Sequence, residues 1–411
     1  MSKRINVSNQ STFNNISIYK KIGYLNSSIL FWTLNTLYYV YRGLNFFQIA
    51  ALQSIGSIIS AILEIPTGWL SDKYGHTVVL KISSLSKVFA VLCMLIANNF
   101  WIFLVSEFCF SLGEAAQSGA DSALLYESLK ADGKEETYTD VISIVRRRQS
   151  LIRMVVRLVA PVLYAIKPEF PFAISACIYI GIAFLTYRYV PLMKEAVNSE
   201  KEEGESENIL HVIQKKVASF VSNKAFIIYS LFSSFLMISV SNYCQYIGPY
   251  LEGLGFSVGY LGIVTSSASI GEYIGIKFVD KIKKNCPITS LMAVLAGLIA
   301  LFVFASGTIN SLPGGIIGYF VINALYAPFN ILLGSELQRV IPSQRRATML
   351  SISSQIDDLF SVLADPLIGM GIDILGFGMI YQVAGAGTLI VIIAVFIFIN
   401  SIVSRNKHQD S

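Results

Sequence analysis

The chain has 411 residues, of which 54% are hydrophobic and only 14% charged, with a mean hydropathy of +0.60. A water-facing surface takes about 25% charged residues, so a soluble assembly of two or three domains, which length alone would allow, is excluded. The net charge of +5 is not a nucleic-acid signal, because the basic residues follow a membrane topology and form no single patch.

The apolar residues come in blocks of about 20, the length a helix needs to cross roughly 30 Å of hydrocarbon. In chain order, twelve spanning helices are expected at 22–41, 46–70, 79–98, 100–125, 142–166, 170–190, 225–250, 257–279, 287–306, 312–337, 347–372 and 376–402. The expected fold is therefore an all-α, multi-pass membrane protein. The first 21 residues are polar and the run after them lacks a small-residue cleavage site, so no signal peptide is expected. With both termini in the cytoplasm, 26 of the 31 Lys and Arg residues fall on the inner side. Arg42 and Lys167 lie outside, and Lys87, Arg153 and Arg157 lie within spans. This positive-inside bias sets the expected orientation.

Cys93, Cys109, Cys177, Cys244 and Cys286 form no CxxC pair. Neither a disulfide framework nor a metal site is expected from them; they read as small apolar residues. One long polar segment, 193–224, interrupts the spans. Its acidic block EKEEGESE reads as solvated linker. The stretch after it puts Ile209, Leu210, Ile213, Val217, Phe220 and Val221 on one helical face, which suits a helix lying on the inner leaflet. The expected organisation is a six-helix bundle over 1–192, a linker over 193–224 and a second six-helix bundle over 225–411. Two equal membrane halves joined this way are a common transporter plan.

Between the second and third spans the chain reads EIPTGWLSDKYGHTVVLK, Glu64 to Lys81. So short a turn calls for glycine, which would account for Gly68 and Gly75, and Asp72 and Lys73 sit where a carboxylate can meet a helix N-terminus. This stretch resembles the signature G-x-x-x-D-[RK]-x-G-[RK]-[RK] of the major facilitator superfamily, with Gly68, Asp72, Lys73 and Gly75 in register. His76 and Thr77 replace its last two basic residues. EIPTG, SGADSALLYESLK (Ser118 to Lys130) and RRATMLSISS (Arg345 to Ser354) resemble a bacterial branch of that superfamily. The resemblance implies a monomeric transporter in the bacterial cytoplasmic membrane, without cofactor, moving a small molecule by alternating access. It also implies that Asp72 acts as a gate near Arg346 at the start of the eleventh span. A second copy of the turn, GIKFVDKIKKN, keeps Gly275, Asp280 and Lys281 with one residue too many.

The resemblance further implies a central cavity lined by spans 1, 4, 7 and 10, and polar stripes fall on all four. They are Trp32, Asn35 and Tyr39; Glu107, Glu114 and Asp121; Ser239, Asn242 and Tyr246; and Asn323, Tyr326 and Asn330. Apart from Asp121, these are the expected substrate-binding residues; hydrogen bonding between helices is the other reading of each stripe. Arg153 and Arg157 on the fifth span are expected to reach Glu114 and Glu107. Glu272, Asp357, Asp358 and Asp365 have no deeply placed cation nearby, and three roles are open to them. They could load a proton, with Asp358 the first choice and Asp357 the second; Glu272 could pair with Arg153 or Arg157; or the acids could bind a cationic substrate. Expected coupling residues are thus Asp358, Asp357, Glu272, Glu114, Arg153 and Arg157.

The fifth span reads VRLVAPVLYAI where drug/proton antiporters typically carry a Gly-rich run, which lowers the weight of drug efflux. No P-loop, HExxH or GxSxG is present, and His76, His211 and His408 are scattered, so neither an ATP-driven pump nor an enzyme is expected. Proton-coupled export of a small organic molecule is the expected function. An importer or facilitator of a small metabolite, or a non-transporting sensor, are the alternatives.

Overall fold

The computed structural model describes residues 2–191, 224–282, 286–341 and 346–409; for 2–13, 224–225, 280, 338, 346–348, 350–352, 354 and 396–409 only the backbone is described. The linker and its amphipathic stretch therefore lie outside the described residues, as do the side chains of Asp280 and Arg346. The described residues are helical nearly throughout: α1 (Ser2–Ser27), α2 (Asn35–Tyr41), α3 (Phe46–Tyr74), α4 (His76–Ile96), α5 (Phe100–Gln117), α6 (Ala120–Ala131), α7 (Tyr138–Ile166) and α8 (Phe170–Tyr187), then α9 (Lys224–Gly253), α10 (Leu261–Ile282), α11 (Ile288–Ile309), α12 (Leu312–Val340) and α13 (Arg346–Gln409). Eight of these helices are long and apolar enough to cross a membrane by length and composition. The chain divides into two compact units, Met1–Val197 with Ser257–Ile263, and Asn198–Phe256 with Val264–Ser411.

Two expected spans are interrupted. The first breaks between α1 and α2, at 28–34. Its local cause is a run of hydroxyls: Ser27 Oγ donates to the Gly23 carbonyl (3.1 Å) and Ser28 Oγ to that of Tyr24 (3.0 Å), back-bonding that competes with the helical ladder. The freed Leu30 N–H is taken up by Ser175 Oγ on α8 (3.0 Å). Phe31 is then packed among Phe172, Phe110 and Tyr179, with the Phe172 ring stacked 5.7 Å away. The fourth span breaks at Ser118–Gly119, where Gly119 adopts φ +76°, a conformation only glycine reaches cheaply.

In the first unit α5 is the hub. Ser111 Oγ donates to the Gly56 carbonyl of α3 (2.9 Å), Thr67 Oγ1 of α3 to that of Ala115 (3.1 Å), and Ser83 Oγ of α4 to that of Gly113 (2.7 Å). Small residues let the backbones approach closely enough for these bonds. At one end of the unit Arg42 donates to the Tyr38 hydroxyl (2.7 Å) and the Leu95 carbonyl (2.9 Å) and pairs with Glu169 (3.6 Å). At the other end Asn15 makes a reciprocal pair of bonds with the Val190 backbone, both 3.0 Å.

The turn between α3 and α4 is a single residue, Gly75 at φ +92°. Gly68 was expected to belong to that turn, but it lies inside α3, which runs on to Tyr74, and a Cβ there would meet nothing within 4 Å. Lys73 lies over the rings of Trp69 and Tyr74 (4.6 and 5.3 Å). His76 bridges Ser71 Oγ (2.7 Å) and Glu127 (3.3 Å).

In the second unit, α11 and the distal part of α13 meet along glycines: a Cβ on Gly307 would collide with the Gly378 carbonyl, and one on Gly385 with the backbone of Ala300 and Phe304. The expected second copy of the short turn is not formed by Gly275. That residue lies within α10, pressed so closely on the Ala324 carbonyl of α12 that no Cβ fits. Packing, not turn geometry, explains it. Gly275→Val is expected to cost about 1–3 kcal/mol by overpacking. Gly297→Ala, where a Cβ meets nothing within 4 Å, should be neutral or stabilising by roughly 0.5–1 kcal/mol. The fraction of monodisperse protein left after heating in detergent measures both.

Candidate functional site

Polar groups in a spanning helix are costly and mark function unless the fold uses them itself. In the first unit, the expected Glu114–Arg153 pair is not formed. Glu114 instead accepts from Lys87 of α4 at 2.6 Å, and Lys87 also donates to Gln117 Oε1 at 2.5 Å. The Lys87 side chain is only 6% exposed, and Gly113 makes room for it, since a Cβ there would lie 2.7 Å from Lys87 Cγ. Arg153 donates to Ser27 Oγ (3.4 Å). Nor does an ion pair join Arg157 to Glu107 among the described residues; the Glu107 carboxylate is tucked against Gly56 of α3. Lys87 was visible in the sequence as a lone cation on the third span. Its four-carbon stem reaches the last turn of α5, a reach that spacing within one helix does not reveal.

Gln117 closes α5 and Asp121 opens α6, with Gln117 Nε2 donating to Asp121 Oδ2 (3.4 Å) across the Ser118–Gly119 break. Around them is a cavity of about 110 Å³, lined by Tyr19, Asn26, Lys87, Gln117, Asp121 and Gln149 among others. The stripe expected on the first span is split by the break. Trp32 lies in the unwound stretch and is 54% exposed, whereas Asn35 and Tyr39 are on α2, with Tyr39 buried against Phe103. The Asn35 Oδ1 is buried and has no hydrogen-bond partner.

In the second unit the stripe on α9 turns inward. Ser239 Oγ lies 2.6 Å from Thr388 Oγ1, Asn242 Nδ2 donates to Asp365 Oδ1 (2.8 Å), and Tyr246 is wholly buried beside Phe377. Asn323 of α12 bonds the Tyr319 carbonyl (2.7 Å) and contacts Cys244, while Tyr326 and Asn330 stand one turn apart farther along the same helix. Ser234 Oγ donates to Asp357 Oδ1 at 2.6 Å, and Ser230 and Ser353 hydroxyls are 3.2 Å apart. The three α9–α13 contacts, Ser230–Ser353, Ser234–Asp357 and Asn242–Asp365, share one sequence offset. The two helices therefore run parallel, with a polar ladder in register between them. Asp358 and Glu272 are exposed rather than held in this ladder. Among the described residues of this unit, Lys281 and Arg339 lie in the last turns of α10 and α12, and Lys277 stands one turn before Lys281. Glu336, buried near the end of α12 and 3.8 Å from Arg339, was missed in the sequence, because an i, i+3 pair looks like an ordinary helix end.

Lys87→Met is expected to lower stability by roughly 1.5–3 kcal/mol, the scale of hydrogen bonds to a charged group. Adding Glu114→Gln should recover part of that loss. A thermal-unfolding double-mutant cycle checks it; additive losses would show that the pair is not coupled.

Three comparisons with known proteins bear on the family and the fold. The family model described as Major Facilitator Superfamily matches residues 22–365. An uncharacterized MFS-type transporter, YxaM of Bacillus subtilis (strain 168), is 22% identical over 390 residues, covering 91% of this chain and 92% of that protein. The fold is similar to the crystal structure of nucleoside transporter NupG, with TM-score 0.69, 14% identity, and coverage of 94% and 98% of the two chains. It is also similar to a D-xylose-proton symporter, with TM-score 0.62, 14% identity, and coverage of 93% and 96%. The chain belongs to the Major Facilitator Superfamily and is a multi-pass transporter of the cell membrane.

Proposed function

We propose that the protein exports a small organic molecule by secondary active transport, coupled to protons, with the two six-helix units alternating access to either face of the membrane. The observation that supports proton coupling is the α9–α13 ladder. Asp357 and Asp365 stand two helical turns apart, each held by one neutral donor, Ser234 or Asn242. A carboxyl group facing only a hydroxyl or an amide in a low-dielectric seam can take up a proton without stranding a cationic partner, and its charged form is the costly one. Asp357 and Asp365 are thus the coupling residues in this reading, with the exposed Asp358 in a lesser role. The similar D-xylose-proton symporter is itself proton-coupled.

The proposed orientation places both termini in the cytoplasm, as the distribution of Lys and Arg favours. In this frame the Asp72 turn works as an inner gate. The polar side chains proposed to contact cargo are Trp32 and Asn35 in the first unit and Tyr326 and Asn330 in the second. No chemistry is done on the cargo.

The test is an everted-vesicle assay with an imposed pH gradient read by a pH-sensitive dye, screened with nucleosides, pentoses, short peptides and organic acids. Antiport predicts that a transported compound collapses the gradient; uptake that leaves the dye signal untouched would overturn proton coupling. Asp365→Asn and Asp357→Asn should abolish the dependence on the gradient while exchange of the same compound persists. Asp72→Asn should slow transport by about two- to fivefold, the effect of losing 0.3–1 kcal/mol of helix-terminus interaction. Wild-type rates for that variant would remove the gate role.

A further inference from the structure

We propose that the cargo is a small organic anion whose carboxylate or phosphate is bound by Arg153 at the break in the first span; this deepens the transport reading and rests on it. α7 runs parallel to α1, and two contacts give their register. Gln149 Nε2 donates to the Gly23 carbonyl (3.0 Å) and Arg153 Nη1 to the Ser27 hydroxyl (3.4 Å), one turn farther along each helix. Continuing that register puts Arg157 level with Phe31, inside the unwound 28–34 stretch. Arg153 lies on α7 just past Arg146, Arg147 and Arg148, which mark the cytoplasmic end of the apolar stretch. Its guanidinium therefore lies within the span, toward its inner end, where a charge is costly unless something pairs with it.

A guanidinium carries five N–H donors and no acceptor. Among the described residues Arg153 gives one of them to the Ser27 hydroxyl, and it forms no ion pair. The negative end of α1 explains why the side chain rests there, but it does not neutralise a full charge. The acids expected to reach the arginines of this span are committed elsewhere: Glu114 to Lys87, and Glu107 to the niche at Gly56. Arg153 is itself exposed on its unit, so its remaining donors are open to a ligand. Trp32 of the unwound stretch is 54% exposed, with Phe31 and Phe110 at 5.1 and 6.1 Å from its ring. That aromatic surface suits the apolar or planar body of the anion. A bidentate guanidinium–carboxylate or guanidinium–phosphate bond supplies the polar end.

The test uses the full chain in nanodiscs with Trp69→Phe and Trp101→Phe, which leaves Trp32 as the sole indole reporter. The probes are benzoate and phenyl phosphate, with benzamide as the neutral match and benzylammonium as the cationic one, titrated at constant ionic strength. The proposal expects saturable change in Trp32 emission with an anionic probe and at least tenfold weaker response to benzamide and benzylammonium. Arg153→Gln should raise the apparent Kd for the anion tenfold or more, and Arg153→Lys by less. Equal responses to benzoate and benzamide, no saturable response to either anion, or an unchanged Kd in Arg153→Gln would overturn it. The comparison of probe charges uses the unmodified Arg153 and so stands even where Arg153→Gln fails to fold. Proton coupling is judged separately by the vesicle dye assay, so an anion site that fails here leaves that reading intact, and the reverse.

Discussion

Within the hydrocarbon layer a peptide group can find its partner only in protein. That constraint shapes every irregular feature of this molecule. Where α1 stops at Ser27, the next free amide is met by Ser175 of α8, and aromatic rings close around the opened backbone. The helices of the first unit approach one another at glycines, alanines and serines because hydroxyl-to-carbonyl bonds need backbones in near contact. Irregular backbone is thus bought with neighbouring side chains.

Charges obey the same constraint, and the two units meet it differently. The first unit matches two of its cations with acids: Lys87 is held by Glu114 and Gln117, and Arg42 at the rim by Tyr38, Leu95 and Glu169. The second unit places acids inside and satisfies them with neutral donors along α9. A buried ion pair is fixed in its protonation, because changing either partner strands the other. An acid facing a hydroxyl or an amide is not so restricted. The two units thus match these charges differently, with acids at Lys87 and Arg42 in the first and with neutral donors at Asp357 and Asp365 in the second.

Much of this was legible in the sequence. Span positions followed from apolar blocks, and helices such as α3, α8 and α12 begin where expected because Asn45 with Gln48, Pro171, and Ser311 with Pro313 mark their starts. The breaks at 28–34 and 118–119 were not legible, because hydropathy averages over a window and registers neither the back-bonding of Ser27 and Ser28 nor the positive φ of Gly119. The candidate site was read as four stripes, yet periodicity says that residues share a face without saying which way the face looks. Ser239, Asn242 and Tyr246 do share one, and it points into their own bundle. Ion-pair partners were hardest: Lys87 and Glu114 are on different helices, and only packing at Gly113 brings them together.

The last two spans are joined by no loop at all. α13 runs from Arg346 to Gln409 with its helical course departing at Gly376 alone, φ +79°. A connection of one residue has no slack to absorb displacement, so a tilt of the segment that carries Asp357 and Asp365 must be handed directly to its neighbour. That neighbour is in turn fastened to α11 by interlocking glycines. Gaining or losing a single charge on this lever therefore has a mechanical route to a third helix.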